Sequence, residues 1–146
     1  MGSAPRNQEW RAGAADLRIV DGDTLRLGDR MLRLYGVDAP ERGQPCTDAQ
    51  GALYDCGAAA AAALARLVGE RGVECRLQGR DRFGRALGVC RAGGVELNAS
   101  MVAAGWALAH GGAMPALVPM EAAARAAQRG LWTGGFEPPA HWRDGR

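Results

Sequence analysis

Residues 19 to 41 read IVDGDTLRLGDRMLRLYGVDAPE and set five carboxylates and three arginines between apolar positions. Thr24 to Leu27 and Met31 to Tyr35 alternate apolar with charged side chains, the period of strands that bury one face. If the two strands pair through the Gly28-Asp29 turn, both acid-bearing ends emerge at the same edge of the sheet. Asp21, Asp23, Asp38 and Glu41 then crowd together, and like charges brought that close call for a cation. The stretch therefore dictates a sheet with a candidate catalytic edge.

At 146 residues the chain is long enough to bury the core of one domain. Hydrophobic residues reach 47%, although alanine, which fills little volume, supplies much of that share. Eighteen basic residues, all arginine, stand against 16 acidic ones for a net charge of +2. A balance this small does not by itself mark a nucleic-acid binder. No stretch reaches the length of a membrane span, so no membrane partner is expected, and the opening MGSAPRNQEW has no apolar core of a signal peptide.

The four cysteines, Cys46, Cys56, Cys75 and Cys90, match no common zinc spacing, and two histidines offer little to complete one. Cys75 and Cys90 fall in two strand-like runs, Val73 to Leu77 and Leu87 to Arg91, around the turn GRDRFGR. In a hairpin centred between Arg82 and Phe83 the numbers of opposed residues sum to 165, as 75 and 90 do. The two sulfurs then face each other across the ladder, within reach of a Cys75-Cys90 disulfide. Cys46-Cys56 closes a small loop just after the acids. Two such bonds point to an oxidising compartment, periplasmic or secreted; the alternative is four buried free thiols in a cytosolic protein.

In chain order, residues 1–14 are expected as a flexible segment that enters the sheet near Ala15, and residues 15–146 as one domain. Leu17 to Val20 is the first strand, and Arg42 to Cys56 a loop rich in Gly, Pro, Asp and Gln. Ala58 to Val68 is a helix by propensity with Gly69 at its stop, followed by the cysteine hairpin. Leu97 to Ala104 and Pro119 to Gln128 are two more helices, ended by Gly105 and Gly130. Trp106 and Trp132 are expected to cover the core, while Trp10 and Trp142 pin the two ends. The pattern suits an α+β fold, a five-stranded barrel of the OB type with three helices and one domain.

The blocks VDGDT, RLYGVDAPE and DRFGR, in this order with a helix between the second and third, resemble staphylococcal nuclease and its thermonuclease family. The likeness extends through LNASMVAAGWA and EAAARAAQRGLW, so it covers Leu17 to Trp132. It implies an OB barrel that hydrolyses DNA and RNA phosphodiesters with calcium. By motif position it implies Asp23 and Asp38 as metal carboxylates, the carbonyl of Ala39 as a further ligand and Glu41 as general base. Arg33 and Arg85 would then bind the scissile phosphate. The family places tyrosines after the second helix, where this chain reads ALAHGGAMPALVP with none, which alters the expected nucleotide wall.

The residue chemistry points the same way. Carboxylates supply hard oxygens for a hard divalent cation and leave positions open for water and phosphate. Arginine's planar fork meets phosphate oxygens in pairs and never deprotonates. Glu41, three residues beyond Asp38, can take a proton from an attacking water. Six arginines between Arg71 and Arg91 oppose only Glu74 and Asp81, so this hairpin is the expected phosphate-facing patch, with Arg82 and Phe83 as substrate contacts at its tip. Taken singly, each residue has a plainer reading: Asp21 and Asp23 as turn formers, Arg33 as a solvated strand residue, Asp38 as a loop cap, Phe83 as a packing plug. Two functions follow: a monomeric calcium-dependent nuclease acting on single-stranded or frayed DNA and RNA, or a barrel that binds nucleic acid or another polyanion without hydrolysis.

Overall fold

The computed structural model describes residues 8 to 145. Strand β1 (Glu9–Ala12) pairs antiparallel with β8 (Val73–Arg80), placing Trp10 opposite Cys75. Trp10 is buried, and the Arg30 guanidinium lies 4.1 Å over its ring. The chain thus joins the sheet before Ala15, which corrects the expected flexible segment 1–14 within the described residues; residues 1–7 lie outside them. Four residues with one inward tryptophan gave too short an alternation to read, yet burying that indole secures the strand.

Strands β2 (Leu17–Asp21), β3 (Thr24–Leu27) and β4 (Arg30–Leu34) form the expected meander. Leu25 faces Leu32 and Thr24 faces Arg33 across β3 and β4. Leu25, Leu32 and Leu34 are fully buried while Arg26 and Arg30 stay in solvent, so the alternation does decide the faces. A register shift between Ile19 and Asp21 brings Asp21 opposite Thr24 at the acid-bearing edge.

In the second hairpin β8 meets β9 (Ala86–Ala92) with Cys75 opposite Cys90, the register expected from the numbering, and a disulfide joins them. A shift between Leu77 and Gly79 carries the ladder on to Arg80 and Ala86, so the hairpin is longer than Val73 to Leu77 and Leu87 to Arg91. β9 also pairs parallel with β4, and β10 (Val95–Glu96) adds to its other end. The path is β1-β8-β9-β4-β3-β2. The five expected strands lie along this path, but with β1 and β10 the sheet has seven among the described residues, which corrects the expected count.

The segment from Arg42 to Cys56 is more ordered than the expected loop: β6 (Pro45–Thr47) and β7 (Leu53–Asp55) pair, and Cys46 is bonded to Cys56. Helix α1 (Cys56–Val68) follows, with the Asp55 carboxylate accepting from the N–H of Ala58 as its N-cap. Its alanines permit a close approach to the acid edge. A Cβ on Gly22 would come within 2.7 Å of the Ala60 Cβ, and one on Gly57 within 1.7 Å of the Glu41 carbonyl oxygen.

Helix α2 (Leu97–Ala103) contributes Asn98, fully buried, whose Oδ1 accepts from the Cys90 N–H at 3.0 Å. Its Nδ2 donates to the carbonyls of Tyr35 at 2.8 Å and Gly88 at 3.1 Å, satisfying main-chain groups at the parallel seam. Helix α3 (Leu117–Ala126) starts two residues before Pro119, and α4 (Pro139–Asp144) is a fourth helix among the described residues, which corrects the expected three. Two apolar clusters form: the main one inside the sheet, and a smaller one of Cys46, Cys56 and Leu131 flanked by Tyr54, Trp106 and Phe136. The fold is α+β, a mixed sheet with four helices. Among the described residues no helix is long and apolar enough to cross a membrane.

Candidate active site

The acid edge of the hairpin opens onto a cleft of about 970 Å³. Asp23, in the turn between β2 and β3, is buried; its Oδ1 accepts from the Thr24 hydroxyl and its Oδ2 from the Ala39 N–H, each at 2.9 Å. Asp38 ends β5 (Val37–Asp38), which β11 (Leu108–Ala109) holds by pairing Leu108 with Asp38. Asp38 accepts from Arg33 Nη2 at 3.0 Å, and the same nitrogen stands 3.5 Å from Asp23 Oδ2. One guanidinium therefore bridges the two buried carboxylates.

Asp21 is more than a turn former. Its Oδ1 accepts from the Arg42 N–H at 3.0 Å, and Arg42 Nε donates to the Val20 carbonyl at 2.9 Å. These bonds tie the chain just past Glu41 back to β2, so Glu41 faces the cleft beside Asp21 and Asp23. Burial raises the Asp21 carboxyl above its usual pKa, and nearby Glu41 adds to the effect.

From the second hairpin come Arg82, Phe83 and Arg85, all lining the cleft. Asp81 organises this tip: its Oδ1 accepts from the N–H groups of Phe83 and Arg85 at 2.9 Å, and its Oδ2 from Arg85 Nε at 2.7 Å. Burial pushes Asp81 up, yet these donors together hold its carboxyl below the usual range. Phe83 is 70% exposed, with Arg82 and Arg85 at 5.0 and 5.5 Å from its ring centroid, so it plugs no core. His110, from the segment without tyrosine, also lines the wall.

The structure brings Asp23, Arg33, Ala39, Glu41, Arg82, Phe83 and Arg85 around the cleft. Asp38 sits behind two guanidinium groups, because Arg143 Nη2 also donates to its Oδ1, at 2.8 Å. Sequence reasoning missed Arg143. Burial works against its cation, while the hydrogen bond to Asp38 and the charges of Asp38, Asp23 and Glu41 hold its pKa above the ordinary arginine value.

Among the described residues no cluster of three or more carboxylate, imidazole or thiolate groups is arranged for a metal. A cation here would have two carboxylates and fill its shell with carbonyl oxygen and water. The donor chemistry fits a hard cation. Burial pushes the Asp23 carboxyl up against the opposing pull of Arg33, Ala39 and Thr24, and adjacent Asp38 pushes it further, a shift that a bound cation would oppose by favouring the carboxylate.

A protein of Rhizobium meliloti (strain 1021), named succinoglycan biosynthesis protein ExoI, is 42% identical over 101 residues, covering 64% of this chain and 53% of that protein. The chain thus spans about half the length of that relative. A protein of Escherichia coli O157:H7, named as an uncharacterized endonuclease, is 33% identical over 147 positions, 92% of this chain and 90% of its own length. A probable staphylococcal-like nuclease of Oryza sativa subsp. japonica is 28% identical across 97% of the chain and 29% of its own length. The family model for staphylococcal nuclease homologues matches residues 31–134, more than half the sequence, and the chain therefore belongs to the staphylococcal nuclease homologue family.

Proposed function

We propose that this protein is a calcium-dependent phosphodiesterase that hydrolyses DNA and RNA. The observation that carries the reading is the meeting of Asp23, Glu41, Arg33 and Arg85 on one cleft, with Asp38 bonded to Arg33. Asp23 and Asp38, with the Ala39 carbonyl, would hold the calcium, which supplies positive charge to a phosphodiester that otherwise repels a nucleophile. Arg33 and Arg85 bind the phosphate oxygens and stabilise the charge that grows on them as water adds. Glu41 accepts the proton of that water and so directs its attack at phosphorus. Phe83, exposed between two guanidiniums, offers its face to a base. Residues 15–146 act as one catalytic domain, in which the run from β8 to β2 is the OB barrel. An open cleft on a sheet edge admits a splayed strand more readily than a rigid duplex. The two disulfides support a periplasmic or secreted enzyme.

The relative named for succinoglycan biosynthesis and the tyrosine-free segment favour a second reading, a module that binds nucleic acid or another polyanion without cutting it. Gel analysis of end-labelled single-stranded and duplex oligonucleotides incubated with calcium separates the two. Shortened products, faster from single strands, support hydrolysis; retarded but intact strands support the second reading.

A further inference from the structure

Arg143 lies beyond residues 31–134, the part matched by the family, and takes no part in the reaction described above. It is nevertheless placed with care. Its side chain is 27% exposed, lines the cleft, and donates Nη2 to the same Asp38 oxygen that takes Arg33 Nη2. A guanidinium carries its donors in a rigid planar fork, and one carboxylate anchoring two such forks aims both at whatever occupies the cleft.

The segment leading to α4 is docked by polar bonds. Thr47 N–H donates to the Gly135 carbonyl, and the Gly135 N–H donates to the Thr47 hydroxyl, both at 2.9 Å. Buried Gln44 donates Nε2 to the Glu137 carbonyl at 2.8 Å. The platform they use is the loop that the Cys46-Cys56 bond ties to the start of α1. α4 itself buries only Pro139 among its described residues. Ala140, Trp142 and Arg143 are half-buried, and the Arg143–Asp38 contact ties the helix to the acid edge.

We propose that Arg143 is a third phosphate-binding arginine, delivered to the cleft by α4 and oriented together with Arg33 by Asp38. The proposal rests on the phosphodiesterase reading. Its ligand is a nucleic-acid phosphate, held beside the scissile one or sharing it. The competing role, in which Arg143 only neutralises the surrounding acids, predicts unchanged oligonucleotide affinity with tighter calcium binding when the arginine is removed.

The experiment measures equilibrium binding of a fluorescein-labelled thymidine octanucleotide, in chelator, to the full chain and to its Arg143→Gln and Arg143→Lys variants over a series of salt concentrations. Calcium affinity is measured by calorimetry, and kcat and KM are measured with calcium. Arg143→Gln should weaken binding about tenfold and flatten the slope of log affinity against log salt by about 0.7, with Arg143→Lys recovering part of both. KM should rise more than kcat falls. Unchanged oligonucleotide affinity and salt slope overturn the proposal, whether the variant melts earlier, which marks a purely structural tie, or binds calcium more tightly, which marks a counter-charge. A wild-type chain that neither binds nor cuts the oligonucleotide overturns the phosphodiesterase reading itself. A wild-type chain that does both while Arg143→Gln equals it overturns the Arg143 assignment alone.

Discussion

Arg85 donates Nε to Asp81 Oδ2 at 2.7 Å, so the guanidinium from the second hairpin reaches the cleft already held by a carboxylate four residues earlier. Arg85→Ala should lower kcat on a single-stranded oligonucleotide by about 100-fold or more, the usual loss for one transition-state donor. Asp81→Ala should cost about tenfold, since Arg85 remains but must be ordered at each turnover. The double variant should match Arg85→Ala, because Asp81 acts through Arg85. Additive losses in steady-state kinetics would contradict that dependence.

The same carboxylate sets an acid response. Asp81 is held below its usual pKa in the folded chain, so the unfolded chain binds the extra proton first. The stability it contributes is present above pH about 3.8 and is lost as pH falls through the lower folded value. Urea midpoints measured from pH 5 down to pH 2 should show wild type and Asp81→Asn converging at the acid end. Parallel curves would show that the turn does not depend on that charge.

Glu41→Gln keeps the size of the side chain but removes its basicity. Turnover should fall about 100-fold or more with the far-UV spectrum unchanged, the contribution expected of a positioned base. A variant with wild-type kcat would place the base elsewhere.

How far the sequence reached depends on how local each signal is. The alternation in Thr24 to Tyr35 and the matched positions of Cys75 and Cys90 are short-range patterns, and both hairpins form in the expected register. β1, β6 and β7 were not legible, because three or four residues are too few to show a period in segments rich in turn formers. α4, with six residues, falls below the length at which propensity speaks. That Asp23, Asp38 and Glu41 converge at one edge could be expected because one hairpin sets their spacing. Arg143 could not: its partner Asp38 is 105 positions away, and nothing in HWRDG marks it.

Asn98 shows the same limit inside the core. Its three bonds go to Cys90, Tyr35 and Gly88, which only the folded sheet brings together. Asn98→Ala removes the side-chain partner of the Cys90 N–H and the Tyr35 carbonyl, while the Gly88 carbonyl keeps the Tyr35 N–H, and should cost about 2–4 kcal/mol in urea unfolding, while KM for an oligonucleotide stays unchanged. A loss under 1 kcal/mol would show that water or a neighbour replaces the amide.

Both disulfides should be complete in the folded chain. Thiol titration under denaturing conditions without reductant should find no reactive thiol, since no cysteine is free. Four reactive thiols would contradict both bonds. The Cys75-Cys90 bond closes a separation of 15 residues, and replacing the pair with alanine should cost about 3 kcal/mol.

The central claim is that the acids and arginines of one cleft hydrolyse nucleic-acid phosphodiesters with calcium. Release of acid-soluble nucleotides from denatured DNA, measured with calcium, with a chelator, and after calcium is restored, tests it most directly. The account predicts release with calcium, none in the chelator, and recovery when the ion returns. No calcium-dependent release at high enzyme concentration, with the DNA bound but intact, would contradict it.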